Sequence, residues 1–199
     1  MDKTLTITKG NVNDLEDVYL SFYNHFPENE RKSLNHLRQL MVTGHYNLLL
    51  LNKNDNKRIG YAFIYVSETQ KTLWLDYIVI ETPYQGKGLG SVFFNEIIRF
   101  LGKQYIAIFM EVEIPNGKDK EQERRLKYYK RLETSFVDIE YKLPTLDGGF
   151  PMYLLYKPIK LDKLTRNCII QTIKEVYEFI HWDIQNKEDT YNEVISTLK

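Results

Sequence analysis

The stretch Gln85-Gly86-Lys87-Gly88-Leu89-Gly90 constrains this chain more than any other. It lies between a β-like run, "WLDYIVIETPY", and a helix-like run, "SVFFNEIIRFL". Glycine reaches backbone conformations closed to other residues and lets a ligand approach the main chain closely. A loop that turns straight into a helix leaves N–H groups without intrahelical partners, and the helix dipole favours an anion over them. The stretch therefore implies a phosphate cradle on an α/β scaffold. Spacing excludes two common cradles. A nucleotide-hydrolase loop needs GxxxxGK[ST], and here Lys87 is followed by Gly88. A dinucleotide fingerprint needs GxGxxG. Read from Gly86, its last glycine comes one position early; read from Gly88, that position is Phe93.

Hydrophobic periodicity supplies the scaffold around the loop. Thr4–Thr8 alternates and suits an edge strand, and Val12, Leu15, Val18, Tyr19, Phe22 and Phe26 recur at helical spacing after a cap at Asn11 or Asn13. Pro27 interrupts, and a second helix carrying Leu34, Leu37, Leu40 and Met41 stops near Gly44. "YNLLLLN", "RIGYAFIYVSE" and "TLWLDYIVIE" read as a meander, the first two joined by "KNDNK". After the loop, Leu89, Val92, Phe93, Ile97, Phe100 and Leu101 line one helix face. "YIAIFMEVEI" is apolar almost throughout, as in a strand covered on both faces. "DKEQERRLKYYKRLE" is a charged helix, and "SFVDIEY" and "PMYLLYKPI" are closing strands linked by "LPTLDGG". The order β-α-α-β-β-β-α-β-α-β-β predicts an α/β domain with a mixed, mostly antiparallel central sheet flanked by helices. This domain covers residues 1–158. Residues 159–199 form a C-terminal helical extension: Ile169, Ile170, Ile173, Val176, Tyr177, Ile180 and Ile184 share one helix face, and a shorter helix follows with Asp189 as cap. Its apolar stripe packs either on the domain or on a second subunit, as a homodimer.

Composition narrows the function. Lys and Arg number 27 and so do Asp and Glu, so no net field draws in nucleic acid or an anionic membrane. The N-terminus lacks a signal-peptide core, and no run reaches the roughly 18 apolar residues of a membrane span, which makes a cytoplasmic protein the expectation. Cys168 is the one cysteine, and the four histidines have no metal-binding spacing, so no metal site is expected.

Gln85, Gly88 and Gly90 fit [RQ]xxGx[GA], and the whole segment "LDYIVIETPYQGKGLGSVFFNEII" resembles the strand–loop–helix that binds the coenzyme A pyrophosphate in GNAT acetyltransferases. The element order resembles that family across residues 4–158. The resemblance implies acetyl-CoA as cofactor, held through main-chain groups of Gln85, Gly86, Lys87, Gly88, Leu89, Gly90 and Ser91. Main-chain groups of Ile78, Val79 and Ile80 then pair with the pantetheine arm like an added strand, and Lys87 reaches toward the 3′-phosphate. "RRLKYYKRLETSF" resembles the family's FYEKxGF segment and sets Tyr129 on its tyrosine, the general acid that faces the sulfur. Two departures stand out. Glu133 or Thr134 replaces the usual glycine, and the asparagine often found ahead of the tyrosine falls on Gln122, leaving Asn116 as the nearby asparagine.

Acetyl transfer to an amine needs a base for the amine proton, donors for the thioester oxygen and a proton for the departing sulfur. Acids inside apolar strands are the candidates for the base: Asp76 in "WLDYIVI", and Glu111 and Glu113 in "FMEVEIP". A strand carboxylate is costly to bury unless it is paired or faces a cleft, and Glu111 and Glu113, two apart, point to one side. Glu28 and Glu30 between the first helices, and Phe150 and Tyr153 in the late hairpin, are candidate acceptor contacts. The expectation is an N-acetyltransferase acting on a primary amine, small molecule rather than protein. The alternatives are a non-catalytic coenzyme A-binding module and an enzyme of longer acyl-CoA.

Overall fold

The structure is a computed structural model that describes residues 5–53, 57–102, 104–160 and 164–199. Thr4 of the first expected strand and the middle of the "KNDNK" turn lie outside the described residues. The chain forms two compact units. One runs to Val66 and includes Leu75–Gly102; the other comprises Ser67–Trp74 and Lys103–Lys199.

In the first unit, β1 (Thr6–Lys9) pairs antiparallel with β2 (Tyr46–Asn52), β2 pairs antiparallel with β3 (Arg58–Ser67), and β4 (Thr72–Ile80), whose first three residues count with the second unit, follows β3 in the sheet. β2 and β3 are buried over nearly their whole length, which explains runs such as "LLLL" that do not alternate. α1 (Val12–His25) starts at Asn11, whose side chain accepts from the Asn13 and Asp14 main chains. Asp14 returns a bond to the Asn11 N–H at 2.8 Å, completing a capping box that stabilises the helix start by about 1 kcal/mol. α1 buries Leu15, Val18 and Phe22, and Phe22 meets Tyr77 edge-on at 4.8 Å and Phe63 at 5.9 Å. α2 (Leu34–Val42), capped by Ser33, buries Leu37 and Leu40. A single helical turn, Glu28–Glu30, stands between them. α3 (Leu89–Leu101) buries Phe93, Phe94 and Ile97.

In the second unit, β5 (Ala107–Glu113) pairs antiparallel with β8 (Phe150–Pro158), the register running from Ala107 opposite Pro158 to Glu113 opposite Met152. "SFVDIEY" is not one strand. Only β6 (Ser135–Phe136) pairs, with Tyr156 and Leu155; the chain then bends, and β7 (Lys142–Leu143) pairs with the other end of β8. The bend buries Val137 and Tyr141 in place of an alternating face. α4 (Lys120–Arg131) is charged along most of its length and buries one residue, Tyr129. In the extension, α5 (Arg166–Phe179) buries Cys168, Thr172, Ile173, Val176 and Tyr177, and ends before the expected Ile184. α6 (Lys187–Ser196) follows with Asn186, not Asp189, at the cap position; Asp189 lies in its first turn. The extension is knitted to the unit's own strands and loops: Thr72 meets Thr172 at 3.1 Å, Lys142 pairs with Glu193, and the Lys199 N–H donates to the Asp138 carbonyl.

Candidate active site

The glycine loop leaves β4 through a turn at Thr82–Tyr84 and enters α3 at Gly88. Gly86 and Gly88 hold φ of 74° and 75°, the left-handed region that other residues enter at a cost. A side chain at either would meet nothing within 4 Å, so the space above the loop is open. Gly88 sits at the cap of α3 and, lacking a side chain, makes no side-chain cap bond. Gln85, Gly86, Lys87 and Gly88 are exposed, and Leu89, Gly90 and Ser91 are half-buried. The loop's own polar side chains fold back on its stem. Gln85 Nε2 donates to the Ile80 carbonyl at 2.8 Å, and Lys87 Nζ to the Pro83 carbonyl at 2.9 Å. Glu81 anchors the other side of that stem, accepting from Ser21 Oγ at 2.9 Å with Arg58 Nε 3.6 Å away. A cleft of about 570 Å³ lies here, lined by Ser21, His25, Arg58, Glu81 and Tyr84 among others. The open, uncapped helix start and its positive-φ glycines fit a bound pyrophosphate.

Asp76 is engaged from two sides. Lys32 Nζ lies 2.9 Å from one carboxylate oxygen and 3.0 Å from the other, and the Tyr46 hydroxyl donates to the carboxylate as well. Lys32 also donates to the Tyr77 hydroxyl, which itself donates to the Glu30 carbonyl at 2.6 Å. The two side chains are 10% and 3% exposed, so the pair is nearly dry. The Asp76 residue as a whole is half-buried, so the solvent it meets falls on its main chain. Of the residues expected to pair with the cofactor's arm, Ile78 and Ile80 are half-buried and Val79 is buried.

The second unit holds the other candidates. Tyr129 is 9% exposed on the last turn of α4, its ring edge-on to Tyr128 at 4.9 Å. Burial pushes its hydroxyl up to about 12, with the Arg125 guanidinium pulling the other way. The helix end beneath it is closed by Thr134, whose hydroxyl donates to the Tyr129 carbonyl at 3.0 Å. Glu133 takes φ of 59° there, the conformation usually left to glycine. Glu113 pairs with Arg125 of α4 and is 12% exposed. Glu111 accepts from the Tyr141 hydroxyl. The two acids sit two residues apart on β5 yet have different partners. Asn116 shapes the approach to α4: its side-chain oxygen accepts from the Lys118 and Asp119 main chains, and its own N–H donates to Gln122 Oε1 at 3.1 Å.

Sequence reasoning missed Lys32, Arg125, Tyr141 and Tyr177. Each is a partner brought in from a distant segment, and Lys32 lies in "HFPENERKS", a stretch read for its acids. The signal that could have found them is the buried strand acid itself, which requires a donor.

The profile of the Acetyltransferase (GNAT) family matches residues 12–132. YjbC of Bacillus subtilis (strain 168), whose name classes it among acetyltransferases, is 26% identical over 166 residues, which is 82% of this chain and 80% of its own. In fold, the chain is similar to a GNAT-family structure from Bacteroides thetaiotaomicron, with a TM-score of 0.71, 18% identity and coverage of 88% of this chain and 97% of that one. It is similar also to the ribosomal-protein-S18-alanine N-acetyltransferase of Escherichia coli, with a TM-score of 0.61, 21% identity and coverage of 81% and 99%. The matched segment runs from α1 through the glycine loop to the helix of Tyr129, so the chain belongs to the GNAT family and is an acyl-CoA-dependent N-acetyltransferase whose donor is acetyl-CoA.

Proposed function

We propose that this enzyme acetylates the primary amine of a small molecule by direct attack. The observation that supports the reading is the pair of acids on β5, Glu111 and the 12%-exposed Glu113, beside which a slender ammonium can be desolvated. Acetyl-CoA supplies an activated thioester. Main-chain N–H groups of the loop from Gly86 to Ser91 would hold its pyrophosphate, the Gln85 N–H being taken by the Thr82 carbonyl at 3.3 Å, and Ile78, Val79 and Ile80 would align its arm. Lys87, which donates to the Pro83 carbonyl, would be the residue to reach the 3′-phosphate. Tyr129, with its hydroxyl at about 12, keeps its proton at neutral pH and donates it toward the departing sulfur, with Arg125 favouring the charge left on the ring. On β5, Glu111 and Glu113 assist removal of the amine proton; Asp76 is held by Lys32 and Tyr46 within the first unit. Cys168 takes no part: burial raises its thiol, which weakens it as a nucleophile and disfavours a covalent acetyl-cysteine route.

The test is thiol release from acetyl-CoA with polyamines, aminoglycosides, amino acids and peptides bearing a free N-terminus. Small amines are expected to turn over and peptides not; turnover with peptides alone overturns the small-molecule reading. Tyr129→Phe is expected to lower kcat about 100-fold with acetyl-CoA binding kept. Unchanged turnover removes Tyr129 from its role.

A further inference from the structure

We infer that the C-terminal helix α5 is a working part of the acceptor site, with Tyr177 acting through Tyr141 to position the Glu111 carboxylate. This rests on the proposed use of Glu111 in amine acetylation. Tyr141 and the extension lie beyond the segment that the family profile covers.

The geometry builds outward from Glu111. The Tyr141 hydroxyl donates to Glu111 Oε1. Tyr141 is carried at the end of the bend between β6 and β7, where its carbonyl accepts from the Met152 N–H of β8 at 3.0 Å, and it takes a second fixture from outside the sheet. Tyr177 of α5 provides it: its hydroxyl donates to the main-chain carbonyl of Lys142, the residue after Tyr141. The two rings meet edge-on at 6.1 Å. Trp74 backs Tyr141 at 6.1 Å. Both tyrosines are almost fully buried, and burial raises both hydroxyls, so each remains a neutral donor. Two phenylalanines would fill nearly the same volume without burying two hydroxyls. What the hydroxyls add is one donor on the carboxylate and one bond that fixes the donor's backbone. A donor on a carboxylate favours its ionised form, the form that accepts a proton.

Other charged groups nearby are Glu193 of α6, which acts on Tyr177 and pairs with Lys142, and Glu113 two residues along β5, which is neutralised by Arg125. None of these donates to Glu111 in place of Tyr141.

The test compares wild type with Tyr141→Phe, Tyr177→Phe and Tyr191→Phe. The last is a packing control, since the Tyr191 ring lies 5.9 Å from that of Tyr177. With carboxyl-labelled glutamate, the Glu111 resonance is assigned by its loss in Glu111→Gln and titrated by NMR. Tyr141→Phe is expected to raise its midpoint by about one pH unit, Tyr177→Phe by less, and Tyr191→Phe not at all. The acid limb of kcat/KM for the amine moves with it. Midpoints that stay at the wild-type or Tyr191→Phe value overturn the inference. A moved midpoint with an unmoved acid limb overturns the catalytic use of Glu111. If no amine turns over in wild type, the acetylation reading fails separately, and the titration still decides whether α5 acts on Glu111.

Discussion

Glu133 is where a family habit and this chain's backbone meet most directly. The missing glycine was visible in "KRLETSF", but the local conformation was not, because any of several residues could have ended the helix. The chain keeps the left-handed turn and sets a glutamate in it, at φ of 59°. Such a residue costs about 1–2 kcal/mol relative to glycine. Three contacts hold the turn: Thr134 on the Tyr129 carbonyl, Lys157 Nζ on the Leu132 carbonyl at 2.6 Å, and Lys157 at 3.6 Å from the Glu133 carboxylate. The last is weak, since Glu133 is almost fully exposed. Glu133→Gly should therefore raise stability by about 1 kcal/mol in urea unfolding, with Tyr129 undisturbed. A loss of stability instead would show that the Lys157 contact outweighs the backbone strain. Asp76 teaches the same lesson at residue scale: its apolar strand surroundings were legible, whereas Lys32 and Tyr46, 44 and 30 residues away, became partners only through the fold.

At the scale of elements, the β4–loop–α3 segment was the most legible part of the chain. Its strand, turn and helix all carry local signals: an apolar run, a Pro-led turn, glycines, then an amphipathic face. β2 and β3 were read almost to the residue for the same reason. The β6–β7 bend was not legible, because its departure from a strand depends on packing Tyr141 against Trp74 and Tyr177 rather than on any turn residue. The α6 start was misplaced by three positions because Asn186 occupies the cap without a side-chain bond, leaving Asp189 as the more obvious acid. The loop's function can be separated from its stability. Gly88→Ala meets no steric obstacle but must hold φ of 75°, which costs about 1 kcal/mol. It also sets a methyl group in the open space above the helix start. Coenzyme A affinity, measured by calorimetry, should fall about tenfold or more. Gly44→Ala, at φ of 81° with equally open surroundings, carries the same backbone cost away from the loop and should leave affinity unchanged. Equal losses of affinity in both variants would mean that global strain, not the cradle, is responsible.

Over the whole molecule, the tyrosine content becomes a property of stability. Tyr61, Tyr128, Tyr129, Tyr141 and Tyr177 all have hydroxyls pushed upward by burial, Tyr129 to about 12. In the unfolded chain each titrates near 10. The sign follows directly. Below pH 10 all five are neutral in both states and add no pH dependence. Above it the unfolded state releases protons that the folded state retains, so stability falls as pH rises. Each such tyrosine removes about 1.4 kcal/mol per pH unit, and five together about 7 kcal/mol. A single-domain protein commonly has about 5–15 kcal/mol in reserve, so the fold should be lost within roughly one to two pH units above 10. The buried tyrosines sit in both units, and their ionisation should therefore coincide with unfolding. Tyrosinate absorbance from these five should appear in one steep step, at the same pH as the loss of far-ultraviolet circular dichroism. A shallow rise in absorbance while the dichroism persists would mean that water reaches the hydroxyls in the folded state, and that the donors assigned to Glu111 and to the departing sulfur are not held in dry surroundings.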